Sequence, residues 1–216
     1  MEWYNPWPTW EPATSEAESI WAGLGAGDPN SNTDELVQDG YKQAQYWYAG
    51  TLDQQEVAWY EIYPQEHEVD LDGFSAYYGE ELTNFVAYDA ASGWAEFEMC
   101  GDVDAGCVWA EQQVEGSVGN QAEWIVERPT HTTLGSTRYP SLPQTAPIWI
   151  RYPQAYQSDG VTGGDAVGLN PSAWKMLNCG DNTLMAAPDT LTADGFHVTW
   201  HNRGTSDDPD SPACGF

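Results

Sequence analysis

Basic residues are nearly absent from this chain, which sets six Lys and Arg against 34 Asp and Glu for a formal net charge of −28. An ordinary globular chain of this length carries roughly 54 charged residues, about half of each sign. The imbalance therefore comes more from missing bases than from surplus acids. Nucleic acid and anionic membrane surfaces both call for clustered Lys and Arg, so neither is a partner. No apolar run reaches the roughly 18 residues of a membrane-spanning helix. Helical periodicity is almost lacking too: the best candidate, SEAESIWAG at 15–23, is short and ends in glycines. With no internal repeat, linker or low-complexity block, residues 1–203 read as one domain and 204–216, beginning GTSDDPD, as an extended tail. High salt and strong acid both select such a balance. The moderate acid content leans toward acid, where protonated carboxyl groups leave little self-repulsion.

Cysteine is scarce, and its four copies include no CxxC pair of the zinc or redox type. Cys100 and Cys107 bracket GDVDAG, a hairpin tip, and Cys214 lies close to the end of the chain. The expected bridges are Cys100–Cys107 and Cys179–Cys214, which predict an extracellular protein. The opening MEWYNPWPTWEP has neither the basic nor the apolar region of a secretion signal, so that location assumes a signal outside this chain. His67, His131, His197 and His201 share no metal-like spacing, and AGDPNSN lacks the pattern of a calcium loop, so no metal is expected.

What the chain has in quantity is short strand-like runs: ESIWAGLG, DELVQDGY, QAQYWYAG, VAWYEIYP, LTNFVAYDA, GWAEFEMC, CVWAEQQV, AEWIVE, APIWIRY, NTLMAA and GFHVTWH. Turn signals such as AGDPNSN, DLDG and DAASG separate them. This pattern predicts an all-β fold, an antiparallel two-sheet β-sandwich of jelly-roll type with a concave cleft.

Period two then assigns faces. In VAWYEIYP, Ala58, Tyr60 and Ile62 share one side, and Trp59, Glu61 and Tyr63 the other. In AEWIVE, Ala122, Trp124 and Val126 suit a core, which leaves Glu123, Ile125 and Glu127 opposite. A strand face bearing carboxylates and aromatics is either solvated or lines a cleft. If a cleft, Glu61 and Glu127 could form the carboxylate pair of a glycoside hydrolase. A binding module without activity fits the same pattern.

Four ordered motifs carry a resemblance that separates these readings. IWAGLG (20–25), ELVQDG (35–40), AWYEIYP (58–64) and AEWIVE (122–127) resemble, in order and at similar spacing, the WVGIDG, ILQTG, AWYEWYP and AEWIVED strands of the glutamic peptidases, or eqolisins. The resemblance runs over roughly 9–203. It implies a two-sheet sandwich and acid-pH hydrolysis of protein or peptide substrates without metal or organic cofactor; separately, a monomer is expected. Its catalytic glutamine falls on Gln38 and its catalytic glutamate on Glu127, with Glu123 a solvated neighbour. Trp21, Trp59, Glu61 and Tyr63 become expected substrate-binding residues of the cleft. A glutamate near its reference pKa of about 4.3 sets expected activity below about pH 5. The chain departs from the family pattern in three places. The usual Asn-Trp-Gly strand is missing ahead of the matched region, Gly25 and Lys42 stand at or near acidic positions, and HTTLGSTRYPSLPQTAPIWIRYP replaces the usual stretch after the catalytic strand.

Overall fold

The computed structural model describes residues 1–25, 34–103, 106–118, 121–133, 136–157, 160, 162–169, 171–178 and 181–205. Its strands, numbered in chain order, build two large sheets. One holds eight strands in the order β16 (Met176–Leu177), β17 (Leu184–Pro188), β18 (Gly195–Trp200), β13 (Ile148–Arg151), β1 (Glu2–Tyr4), β6 (Glu81–Asp89), β7 (Trp94–Gly101) and β8 (Cys107–Gln113). The other runs β10 (Gln121–Glu127), β2 (Glu16–Gly25), β3 (Asp34–Tyr48), β4 (Thr51–Tyr63) and β5 (Glu66–Asp70), with β9 (Ser117–Val118) pairing parallel to the start of β3. Two small hairpins, β11 (His131–Thr133) with β12 (Ser136–Arg138) and β14 (Gln154–Tyr156) with β15 (Gly163–Asp165), and one turn of helix, α1 (Ala166–Leu169), complete the described chain. None of its helices is long and apolar enough to cross a membrane.

The sandwich core forms where the alternating patterns of the two sheets meet. Ile20, Val37, Tyr41, Ala58, Tyr60 and Ile62 face Leu82, Ala95, Phe97, Met99, Ile150 and Met185, all buried in one cluster. Tyr60 stacks on Phe97 with ring centroids 4.8 Å apart, which ties the centre of one sheet to the centre of the other. Trp124 and Val126 pack against the same cluster, so the period-two reading of both AWYEIYP and AEWIVE holds. The helical candidate SEAESIWAG lies in β2 from Glu16 onward, not in a helix. Here burial of both faces in a sheet outweighs a weak local helical signal.

The run DELVQDGYKQAQYWY is one 15-residue strand, although its Asp-Gly step, Asp39-Gly40, reads as a break. Gly40 is required there for closeness, not for a turn. A Cβ at this position would stand 2.4 Å from the Ile20 carbonyl oxygen and 2.5 Å from Trp21 Cβ. The bare backbone lets β2 and β3 pair at the foot of the Trp21 side chain. Cys100 and Cys107 are joined, directly opposite each other on β7 and β8. Cys179 and Cys214, and with them the second expected bridge, lie outside the described residues.

A buried ion pair locks the first connection of the fold. Glu16 is fully enclosed and bonds Arg203 Nη1, while its other oxygen accepts from the Glu11 amide at 2.6 Å. Arg203 also donates to the Thr9 carbonyl at 2.9 Å. Burial raises the Glu16 carboxyl, with Glu11 N–H and Arg203 opposing it. Breaking a buried pair from one side strands a charge. Arg203→Met is therefore expected to cost about 3 kcal/mol at pH 7, the low end for such a break because Arg203 is partly open. That corresponds to a fall of roughly 6–12 °C in Tm for a chain of this size. Glu16, with its folded pKa above the unfolded one, can take up a proton instead, so the loss should shrink as pH falls below the ordinary carboxylate range. Thermal unfolding at pH 7 and pH 3.5 checks both parts, and an equal loss at the two values would contradict this account of the pair.

Candidate active site

Register across the five-stranded run of the second sheet places the sequence-predicted residues on its outer face. Antiparallel partners point to the same side, so each transverse row is a line of neighbours. One row reads Glu123, Gly23, Gln38, Glu61 across β10, β2, β3 and β4. The next reads Ile125, Trp21, Gly40, Trp59, Asp70, and the one beyond it Glu127, Ser19, Lys42, Val57. On the other flank of the Gln38 row, Leu36 lies beside Tyr63. The face thus holds four glutamates and a glutamine around two indoles, once Glu68 of β5 is added.

Gln38 is held rather than free. Its Nε2 donates to Glu61 Oε2 at 2.5 Å, an orientation that follows from a carboxylate accepting only. Gln38 is 6% exposed, and its Oε1 is buried without a partner. One N–H of the amide is therefore committed to Glu61, while the second N–H and the carbonyl remain for a bound molecule. Burial raises the Glu61 carboxyl, the Gln38 bond lowers it, and the nearby Glu68 raises it again.

Glu127 stands two residues beyond the Trp21 row. Burial of its carboxyl end pushes it up to about 7; the Trp21 indole N–H opposes this, and the charges of Glu61, Glu68 and Glu123 add to it. Trp21 bridges the two halves of the site. Its Cζ3 lies 3.0 Å from where a Gly23 Cβ would be, with Gln38 Cβ 3.3 Å from the same point, and its buried N–H lies on the Glu127 side without a standard hydrogen bond. Gly23 is thus the gap that admits the indole between Gln38 and Glu127.

The other expectations divide. Glu61 contacts Gln38 directly, and Tyr63 is 57% exposed at the rim, open to a substrate. Trp59 is 2% exposed and donates its indole N–H to Ser19 Oγ at 3.0 Å. It forms floor rather than contact surface, and Trp21, 5% exposed, is floor for most of its area. Glu123 is half-buried rather than solvated, and burial raises its carboxyl. Two residues of the face had no role in the sequence reading. Glu68 was legible only through the alternation of EHEVD, which puts it on the side of Asp70, opposite Val69. Lys42, ion-paired with Glu68, was marked in the sequence only as a base near an acidic position of the family pattern.

The fold is an antiparallel two-sheet sandwich, and one face of its second sheet gathers Gln38, Glu61, Glu123 and Glu127. Residues 3–182 match the peptidase A4 family, and the chain belongs to it. The fold is similar to the crystal structure of aspergilloglutamic peptidase from Aspergillus niger, at 18% identity and a TM-score of 0.66, over 86% of this chain and 99% of that one. No curated protein matches the sequence. The chain is a peptidase of glutamic type, acting on protein or peptide.

Proposed function

We propose that this peptidase is a secreted, monomeric endopeptidase that hydrolyses unfolded polypeptide in acid, using Gln38 and Glu127 with a water molecule and no cofactor. The observation that carries the reading is the Gln38 amide, oriented by Glu61 and left with a buried, unpartnered carbonyl oxygen. A buried acceptor without a donor is costly, and a water positioned for attack satisfies it. The second N–H of the same amide is a donor for the oxygen that becomes negative in the tetrahedral intermediate.

Glu127 supplies the proton traffic. With its carboxyl pushed up to about 7, it enters the reaction protonated in acid. It gives its proton to the scissile carbonyl oxygen as water adds to the carbonyl carbon, and takes a proton from that water in exchange. Glu127 then gives that proton to the nitrogen, the C–N bond breaks as a hydroxyl of the intermediate returns its proton to Glu127, and an acid and an amine leave with Glu127 protonated again. Burial extends the protonated range well above the pH 5 limit that a glutamate at its reference value sets. The interior also suits acid. Burial pushes Glu18 up to about 8 and Asp39 well above the carboxylate range. Groups raised on folding stabilise fully below their unfolded pKa and lose that contribution as pH rises toward the folded value.

The test is cleavage of an acid-denatured protein across pH 2–8. Activity should be high at pH 3–4 and fall along a limb set by a group near 7, unaffected by chelators or by serine- and cysteine-directed reagents. A folded protein that leaves every unfolded substrate intact throughout that range would overturn the reading.

A further inference from the structure

One ammonium stands among the carboxylates of the cleft face. Lys42 is one of only six Lys and Arg residues in the chain, and it shares the side of β3 that carries Gln38, opposite Ser19 and Val57. It is 9% exposed, and its Nζ donates to Glu68 Oε1 on β5. An ammonium has three N–H donors. Glu68 receives one, and no other described residue is bonded to Lys42. Enclosing an ammonium is expensive unless its donors are used, so the arrangement has capacity for a second acceptor.

The surroundings define which acceptor. Glu61, Glu123 and Glu127 offer carboxyl groups that burial raises, and these supply no positive charge to an acid side chain. Lys42 is the ammonium of this face, beside which His67 is a second base, near Glu61. We infer that Lys42 and Glu68 form a specificity-determining subsite that takes an anionic side chain of the polypeptide substrate, one or two residues from the scissile bond. An ammonium with three donors can hold Glu68 and a second acceptor together. Glu68 therefore shares the ammonium with the substrate acid instead of expelling it. This rests on the Gln38–Glu127 cleft being where polypeptide is cut.

The experiment is kcat/KM at pH 4 for matched peptides that differ at single positions flanking the cut, bearing Glu, Gln, Lys or cysteic acid. At one position, Glu and cysteic acid should exceed Gln and Lys by about tenfold, the worth of one charge-assisted hydrogen bond. The cysteic acid preference should persist to pH 2.5, because a sulfonate stays charged. Lys42→Met should bring the ratio of cysteic acid to Gln close to one, and Lys42→Arg should keep it, which a purely structural role for the ion pair would not do. A flat profile in the parent sinks the subsite while the peptidase reading stands. An unchanged ratio in Lys42→Met does the same, and no cleavage of any peptide sinks both.

Discussion

Glu127→Gln is expected to abolish measurable turnover of acid-denatured protein at pH 3–4. An amide has nearly the shape of a carboxyl group and can neither release nor accept a proton in the reaction, so the change isolates the relay from the packing. Positioned acid–base groups contribute about 10²-fold to 10⁴-fold, and here one group serves both the attack and the departure of the amine. The fold should tolerate the change well. Glu127 is half-buried beside Glu61, Glu68 and Glu123, whose charges oppose its ionisation, so removing the charge relieves repulsion at neutral pH. Tm at pH 7 should be equal to that of the parent or higher. Full activity in this variant would remove Glu127 from the mechanism, whereas a loss of activity with a fall in Tm would attribute the effect to structure.

Gln38→Ala should lower kcat by about 10²-fold to 10³-fold, the contribution of one preorganised donor to a developing oxyanion. The loss belongs in kcat more than in KM, because the amide bonds most strongly to an oxygen that is negative only in the transition state. A second readout separates this from simple cavity formation. The Gln38 bond lowers the Glu61 carboxyl, so its removal should move Glu61 upward, visible as a higher midpoint in an NMR titration of the Glu61 side chain. A change confined to KM, with the Glu61 titration unmoved, would reduce Gln38 to a packing residue.

Much of this arrangement is legible in the sequence. The alternation in AWYEIYP sorted Ala58, Tyr60 and Ile62 to the core and Glu61 and Tyr63 to the outer face, and the structure follows it residue by residue. The pairing of Cys100 with Cys107 was visible because a hairpin tip separates them. By contrast, Trp59 was expected to meet substrate and instead lies beneath the site, tied to Ser19. Period two tells which side a residue faces; it does not tell which strand will cover it.

The sequence by itself determined the class of fold, the side of each strand that meets water and the residue types available for proton transfer. These follow from local alternation and from the chemistry of individual side chains. Only the tertiary structure decided that Glu61 grips Gln38, that Trp21 fills the gap over Gly23, that β3 runs unbroken through Gly40, and that Glu127 holds its proton to about 7. Each of these depends on the register between strands far apart in the chain and on the water that their packing removes. Neither register nor desolvation is written in the spacing of neighbouring residues.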